Sequence, residues 1–97
     1  MPEELSAIEE ELLKLKHEIE GCIEKRDILS SDLNKFIEIT NNISHADDSQ
    51  EISQKTKDEF IAAADKFETV FHEEGTIGNL IARTMSGISI ALREQDH

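Results

Sequence analysis

One apolar rhythm constrains this chain more than anything else in it. Stepping alternately by three and four from Leu5 gives Leu5, Ile8, Leu12, Leu15, Ile19, Cys22, Arg26, Leu29, Leu33, Phe36, Thr40 and Ile43. Ten of these twelve positions are apolar when Cys22 is counted. A seven-residue repeat held over that length is the pattern of a coiled coil, because it keeps one seam on one face of a long helix. The spacing predicts a continuous first helix over about residues 3–43, roughly 60 Å long at 1.5 Å per residue. Acids and lysines flank the seam, and Glu10 and Lys14 have the i,i+4 spacing that supports a helix.

The stretch "IEGCIEKR", residues 19–26, is the weak part of that helix. Gly21 falls off the seam, so it costs about 1 kcal/mol relative to Ala without opening a core hole. Cys22 falls on the seam, where a free thiol behaves as a small hydrophobe. Arg26 also falls on the seam. Its methylene stem packs while its head reaches water, and a charge there lowers stability and restricts register or partner choice. The helix is therefore expected to run through this patch. Ile23, Ile28, Ile37 and Ile39 then widen the apolar surface enough for two neighbouring helices.

The segment "NNISHADDSQE", residues 41–51, is rich in turn formers. Asp48 and Glu51 have capping-box spacing, so a second helix is expected from near Ser49, over about residues 50–73. A short connection predicts that it returns antiparallel to the first. A second heptad follows: Phe60, Ala63, Phe67, Val70, Glu74, Ile77, Ile81, Thr84, Ile88 and Ala91. Two arrangements fit "EEGTIGN", residues 73–79. Either Gly75 caps one helix and Thr76 opens another over about 77–94, or one long kinked helix runs through. Gly78, Ala82, Ser86 and Gly87 give this last segment a small-sided face that lets another backbone approach.

With a break at Gly75, the returning helix covers only half of the first one. Leu5, Ile8, Leu12, Leu15 and Ile19 would then face water, each at a cost of roughly 1.5–3 kcal/mol. With one continuous helix, the broad stripes still exceed a single helix–helix seam. Both arrangements predict association with a second chain. The expected fold is all-α: a long N-terminal coiled-coil helix in an antiparallel helical hairpin with one or two further helices, a single helical domain over residues 1–97, dimerising into a bundle. A chain of 97 residues suits one domain. A single proline and four glycines argue against a turn-rich β fold.

Charge narrows the function classes. Acids outnumber bases 22 to 10, for a net charge of −12, and no basic patch interrupts them. Phosphate-backbone binding and anionic membranes are disfavoured. The most apolar stretch, Ile77 to Leu92, contains Arg83 and is short for a membrane span. Cys22, the only cysteine, has no internal disulfide partner, and charges begin at Glu3, so a cytoplasmic setting without a signal peptide is expected.

No nucleophile motif, phosphate loop or HExxH is present. Asp65, Glu68 and His72 share one helix face, but metal-binding bundles draw Glu and Glu-x-x-His from several helices, and no Glu-x-x-His occurs here. Asp47 and Asp48 read as helix-capping turn acids; the expected acidic-tipped finger resembles polymerase secondary-channel factors in shape alone. The expected role is a non-enzymatic protein–protein interaction module, an adaptor, chaperone or assembly subunit, with no cofactor and no metal. Its interaction seam would be Leu5, Ile8, Leu12, Leu15, Ile19, Cys22, Arg26, Leu29, Leu33 and Phe36, and its partner a second copy, a helical protein, or both. A different role also fits the acidity: an inhibitor or regulator that occupies a basic site on a nucleic-acid enzyme.

Overall fold

The computed structural model describes residues 7–44 and 52–94, which form four helices and no strand. They are α1 (Ala7–Lys25), α2 (Ser30–Ser44), α3 (Gln54–Val70) and α4 (Ile77–Glu94). The all-α class expected from the sequence is present. The continuous helix over residues 3–43 is not: it divides at Arg26.

Local hydrogen bonding explains that division. Arg26 takes a left-handed backbone conformation, with φ of 55°. Its N–H donates to the Ile23 carbonyl at 3.2 Å, and the Asp27 N–H donates to the Cys22 carbonyl at 3.2 Å. These are the paired bonds of a Schellman cap, which satisfies the last carbonyls of α1. Asp27 Oδ1 then accepts the Ile28 N–H at 2.9 Å. Asp32, one turn into α2, accepts the Leu29 N–H at 3.1 Å, the acidic half of a capping box. The non-helical link is residues 26–29, close to one helical turn in length. Each half therefore keeps its own apolar stripe, and the heptad count passes over the break without a slip.

The break lets α2 fold back along α1, where Lys35 Nζ lies 3.5 Å from Glu18 Oε1. It also reverses an expected orientation. The second half of the chain does not run back along the first helix, because α2 has already made that return; α3 lies beside α1 in the same direction. Glu9, near the start of α1, accepts the Ser53 N–H at 3.1 Å, the Ser53 hydroxyl at 3.3 Å and the Thr56 hydroxyl at 3.0 Å, all at the start of α3. Further along both helices, Lys16 reaches Glu59 at 3.9 Å. Ser53 is the N-cap of α3, its Oγ accepting the Thr56 N–H at 3.3 Å. Glu9 thus supplies from another helix the carboxylate that a capping box supplies locally, and its charge suits the helix N-terminus. The expected start near Ser49 is corrected to Gln54; Asp47, Asp48 and Glu51 lie outside the described residues.

Between α3 and α4 the chain breaks rather than running through, but over residues 71–76, and Gly75 does not cap α3 as expected. Phe71 closes α3, its N–H bonding the Phe67 carbonyl at 2.9 Å. Gly75 has φ of 79°, which glycine adopts without the steric cost of a side chain. Thr76 opens α4, its Oγ1 donating to the Glu73 carbonyl at 2.8 Å and accepting the Asn79 N–H at 3.1 Å. A Cβ on Gly78 would sit 2.8 Å from Phe71 Cβ, so this small residue admits a side chain of its own chain. Ala82 is core, and Gly87 has open space around it.

The packing order is α2 on α1, α1 on α3, and α3 on α4. With α1 between two neighbours, Leu12, Leu15, Ile19 and Cys22 are enclosed, and Ile8 is nearly so. The expectation that a break at Gly75 leaves this stripe in water is overturned. The second break, at Arg26, supplies an extra helix to cover it. Phe60 and Phe67 of α3 complete the core, with Phe36 of α2 meeting Phe67 edge to face at a centroid distance of 6.0 Å. The longest dimension is 40 Å, well short of the rod the heptad count implied.

Candidate functional site

With the core assigned, a few large apolar side chains remain in water. Leu80 is 64% exposed, Ile77 54% and Ile37 52%. These three belong to one groove between α2 and α4, about 340 Å³ in volume. Leu33, Phe36, Ile37, Thr40 and Asn41 form one wall; Ile77, Leu80, Ile81, Thr84 and Met85 form the other. None of these residues is charged, in a chain that is 33% charged.

The two walls have the same local cause. Leu33, Phe36, Ile37 and Thr40 are spaced i, i+3, i+4, i+7, and so are Ile77, Leu80, Ile81 and Thr84. That spacing lays four side chains on one helix face. Both helices run in the same direction, since each reverses a neighbour and those neighbours, α1 and α3, run together. The groove stays open because α2 rests on α1 and α4 rests on α3. Phe36, Ile81 and Met85 are buried as its floor, while Ile37, Ile77 and Leu80 stand at its edges. At the turn end, Ile77 is shared with a second hollow of about 280 Å³, which also includes Arg26, Ile28, Phe71 and Glu73.

The expected interaction seam is placed differently. Ile8, Leu12, Leu15, Ile19 and Cys22 are core, and Leu5 lies outside the described residues. Arg26 is an exposed turn residue. Leu29 is 45% exposed, away from the groove lining. Only Leu33 and Phe36 of the seam reach the groove. Leu80 belongs to neither heptad. A usable signal was present: "LNKFIEIT", residues 33–40, and "IGNLIART", residues 77–84, both carry large apolar residues at their first, fourth and fifth positions and end on Thr.

The reactive groups are quiet. The Cys22 thiol is pushed up to about 11, first by burial and then by the Asp32 carboxylate, with which it hydrogen-bonds, and by Glu18. A thiol held protonated is a poor nucleophile and a poor metal ligand. His72 Nδ1 lies 3.1 Å from the Thr69 carbonyl, and Asp65 pairs with Arg93 at 3.8 Å. Among the described residues, no group of three or more His, Cys, Asp or Glu is placed to hold a metal ion, and no helix is long and apolar enough to cross a membrane. No family model, curated protein or solved structure matches this chain.

Proposed function

We propose that the chain is a non-enzymatic protein–protein interaction module, an adaptor, chaperone or assembly subunit, whose working surface is the groove between α2 and α4. Its occupant is a helix that lays an apolar ridge between the two walls, the helix-in-groove mode of recognition. One observation carries this: an uncharged groove that gathers Ile37, Ile77 and Leu80, three of the five exposed large apolar side chains among the described residues, while the other two, Leu29 and Ile90, stand outside its lining. Covering a half-exposed Ile or Leu returns roughly 1 kcal/mol or more per residue. Each wall runs about nine residues, or roughly 13 Å, which suits two to three turns of a helix. The setting we propose is cytoplasmic, where an unpaired thiol such as Cys22 persists.

A photo-crosslinking residue at position 80 tests the proposal, with position 20 as the control. Glu20 is exposed on α1, away from the groove. Crosslinks from position 80 that map to a helical segment, with none from position 20, support the assignment. Equal yields from both positions, or none from position 80, refute it.

A further inference from the structure

We infer that two copies of this chain exchange their N-terminal helices: the turn at residues 26–29 opens into helix, and each α1 packs between α2 and α3 of the other copy. Two features of the turn carry this. The seam rhythm crosses it in phase, with Cys22, Arg26, Leu29, Leu33 and Phe36 keeping the alternating three- and four-residue step. A hairpin needs no such agreement, because α2 has only to turn its own apolar face toward α1. A helix that runs on through residue 26 does need it. The closed turn is also short and strained. It spans four residues and holds Arg26, a non-glycine, at φ of 55°. Short hinges under strain invite exchange.

The rest of the fold permits it. α1 lies between α2 and α3, and its contacts with them join residues before the turn to residues after it. Glu9 bonds Ser53 and Thr56, Lys16 reaches Glu59, and Glu18 reaches Lys35. Each of these forms between two chains as well as within one, so exchange forfeits none of them. Opening relieves the strain at Arg26 in both chains and carries helical hydrogen bonding across the link. Because Glu18 lies across from Lys35, the midpoint of the hairpin falls between Arg26 and Asp27, and it becomes the two-fold axis. Leu29, 45% exposed in the closed chain, then sits on the seam within one turn of that axis, where the second copy covers it. α2 and α4 lie on the same side of the hinge, so the groove between them is kept and the dimer presents two.

The test uses the full chain, half of it at natural isotopic composition and half labelled with heavy nitrogen. The mixture is unfolded in urea and refolded at high concentration, and monomer is separated from dimer by size exclusion. A zero-length carbodiimide reagent then joins Lys16 to Glu59 and Lys35 to Glu18, pairs that lie 3.9 Å and 3.5 Å apart. About half of the joined peptides from the dimer should combine a light with a heavy segment, as random pairing of swapped chains requires; none from the monomer should. Ser30→Pro blocks the open form alone. Ser30 is the first residue of α2, where proline fits, whereas in a continuous helix that proline loses its bond to the residue 26 carbonyl and clashes with it. This variant should keep its helicity and give no dimer. Arg26→Gly eases the closed turn and weakens the open helix, and should raise the dimer Kd about a hundredfold or more. Leu80→Glu, far from the hinge, should leave the Kd within about threefold of the parent. A parent that stays monomeric, a dimer whose joined peptides are all of one isotope, or a dimer abolished by Leu80→Glu overturns the inference.

Discussion

Replacing Arg26 with glycine separates the two ways of folding the first half of this chain. Arg26 sits at φ of 55°, where a side chain crowds its own backbone. A non-glycine residue there costs about 1–2 kcal/mol. Glycine removes that cost but loses about 0.5–1 kcal/mol through the greater freedom of its unfolded chain. The Arg26 side chain is exposed and holds no ion pair among the described residues, so little else is lost. The expected net effect is a stabilisation of about 0.5–1 kcal/mol. For a domain this size, about 1 kcal/mol moves Tm by roughly 4–8 °C. Had the helix run on through residue 26, glycine would cost about 1 kcal/mol instead, so the sign alone discriminates. Thermal and urea unfolding followed by far-ultraviolet circular dichroism measure it. Gly21→Ala is the internal standard: it lies inside α1 with no neighbour near the added Cβ, and should stabilise by about 1 kcal/mol. If Gly21→Ala raises the midpoint while Arg26→Gly lowers it by several degrees, the turn at Arg26 is refuted.

Other perturbations probe other parts of the structure. Glu9→Ala withdraws the acceptor from Ser53 and Thr56 and should destabilise by about 2 kcal/mol, with amide exchange rising first at the start of α3; unchanged exchange there would refute the cap. Ser89→Ala should stabilise by about 1 kcal/mol, since Ser89 Oγ is buried without a hydrogen-bond partner among the described residues, and a lower urea midpoint would show that the hydroxyl is bonded. Cys22 should resist a thiol reagent at neutral pH until the chain unfolds, and rapid labelling of folded protein would contradict its burial. Its folded-state thiol titrates higher than the usual 9.0, at about 11, so the folded protein holds this proton more tightly. That contribution to stability is complete below pH 9 and disappears as pH rises to about 11, which urea midpoints across this range will register.

Much of the helical content was legible because it is written locally. Gly75 and Thr76 marked the link and the start of α4, where a left-handed residue and a hydroxyl cap act within a few positions of themselves, although α3 stops earlier, at Phe71. The turn at Arg26 was harder to see. Its left-handed residue is an arginine rather than glycine or asparagine, and a four-residue link preserves the phase of the apolar stripe. Asp27 and Asp32 carried the only local sign of it. The cap of α3 was missed: the capping-box reading fell on Asp48 and Glu51, whereas the cap is Ser53 and its carboxylate comes from Glu9, which no local pattern connects to it.

The amino-acid order alone determined that the chain is helical, which face of each segment is apolar, and that acids dominate its surface, because helix phase and charge depend on near neighbours. Which apolar face meets which was decided only in three dimensions. Leu12, Leu15 and Ile19 had the periodicity of an open seam, and became core because α2 and α3 both land on α1. Ile37, Ile77 and Leu80 had no stronger pattern, yet line a groove because α2 and α4 are each held by a different neighbour. Coverage of a surface depends on where distant segments settle, and periodicity around one helix axis carries no information about that.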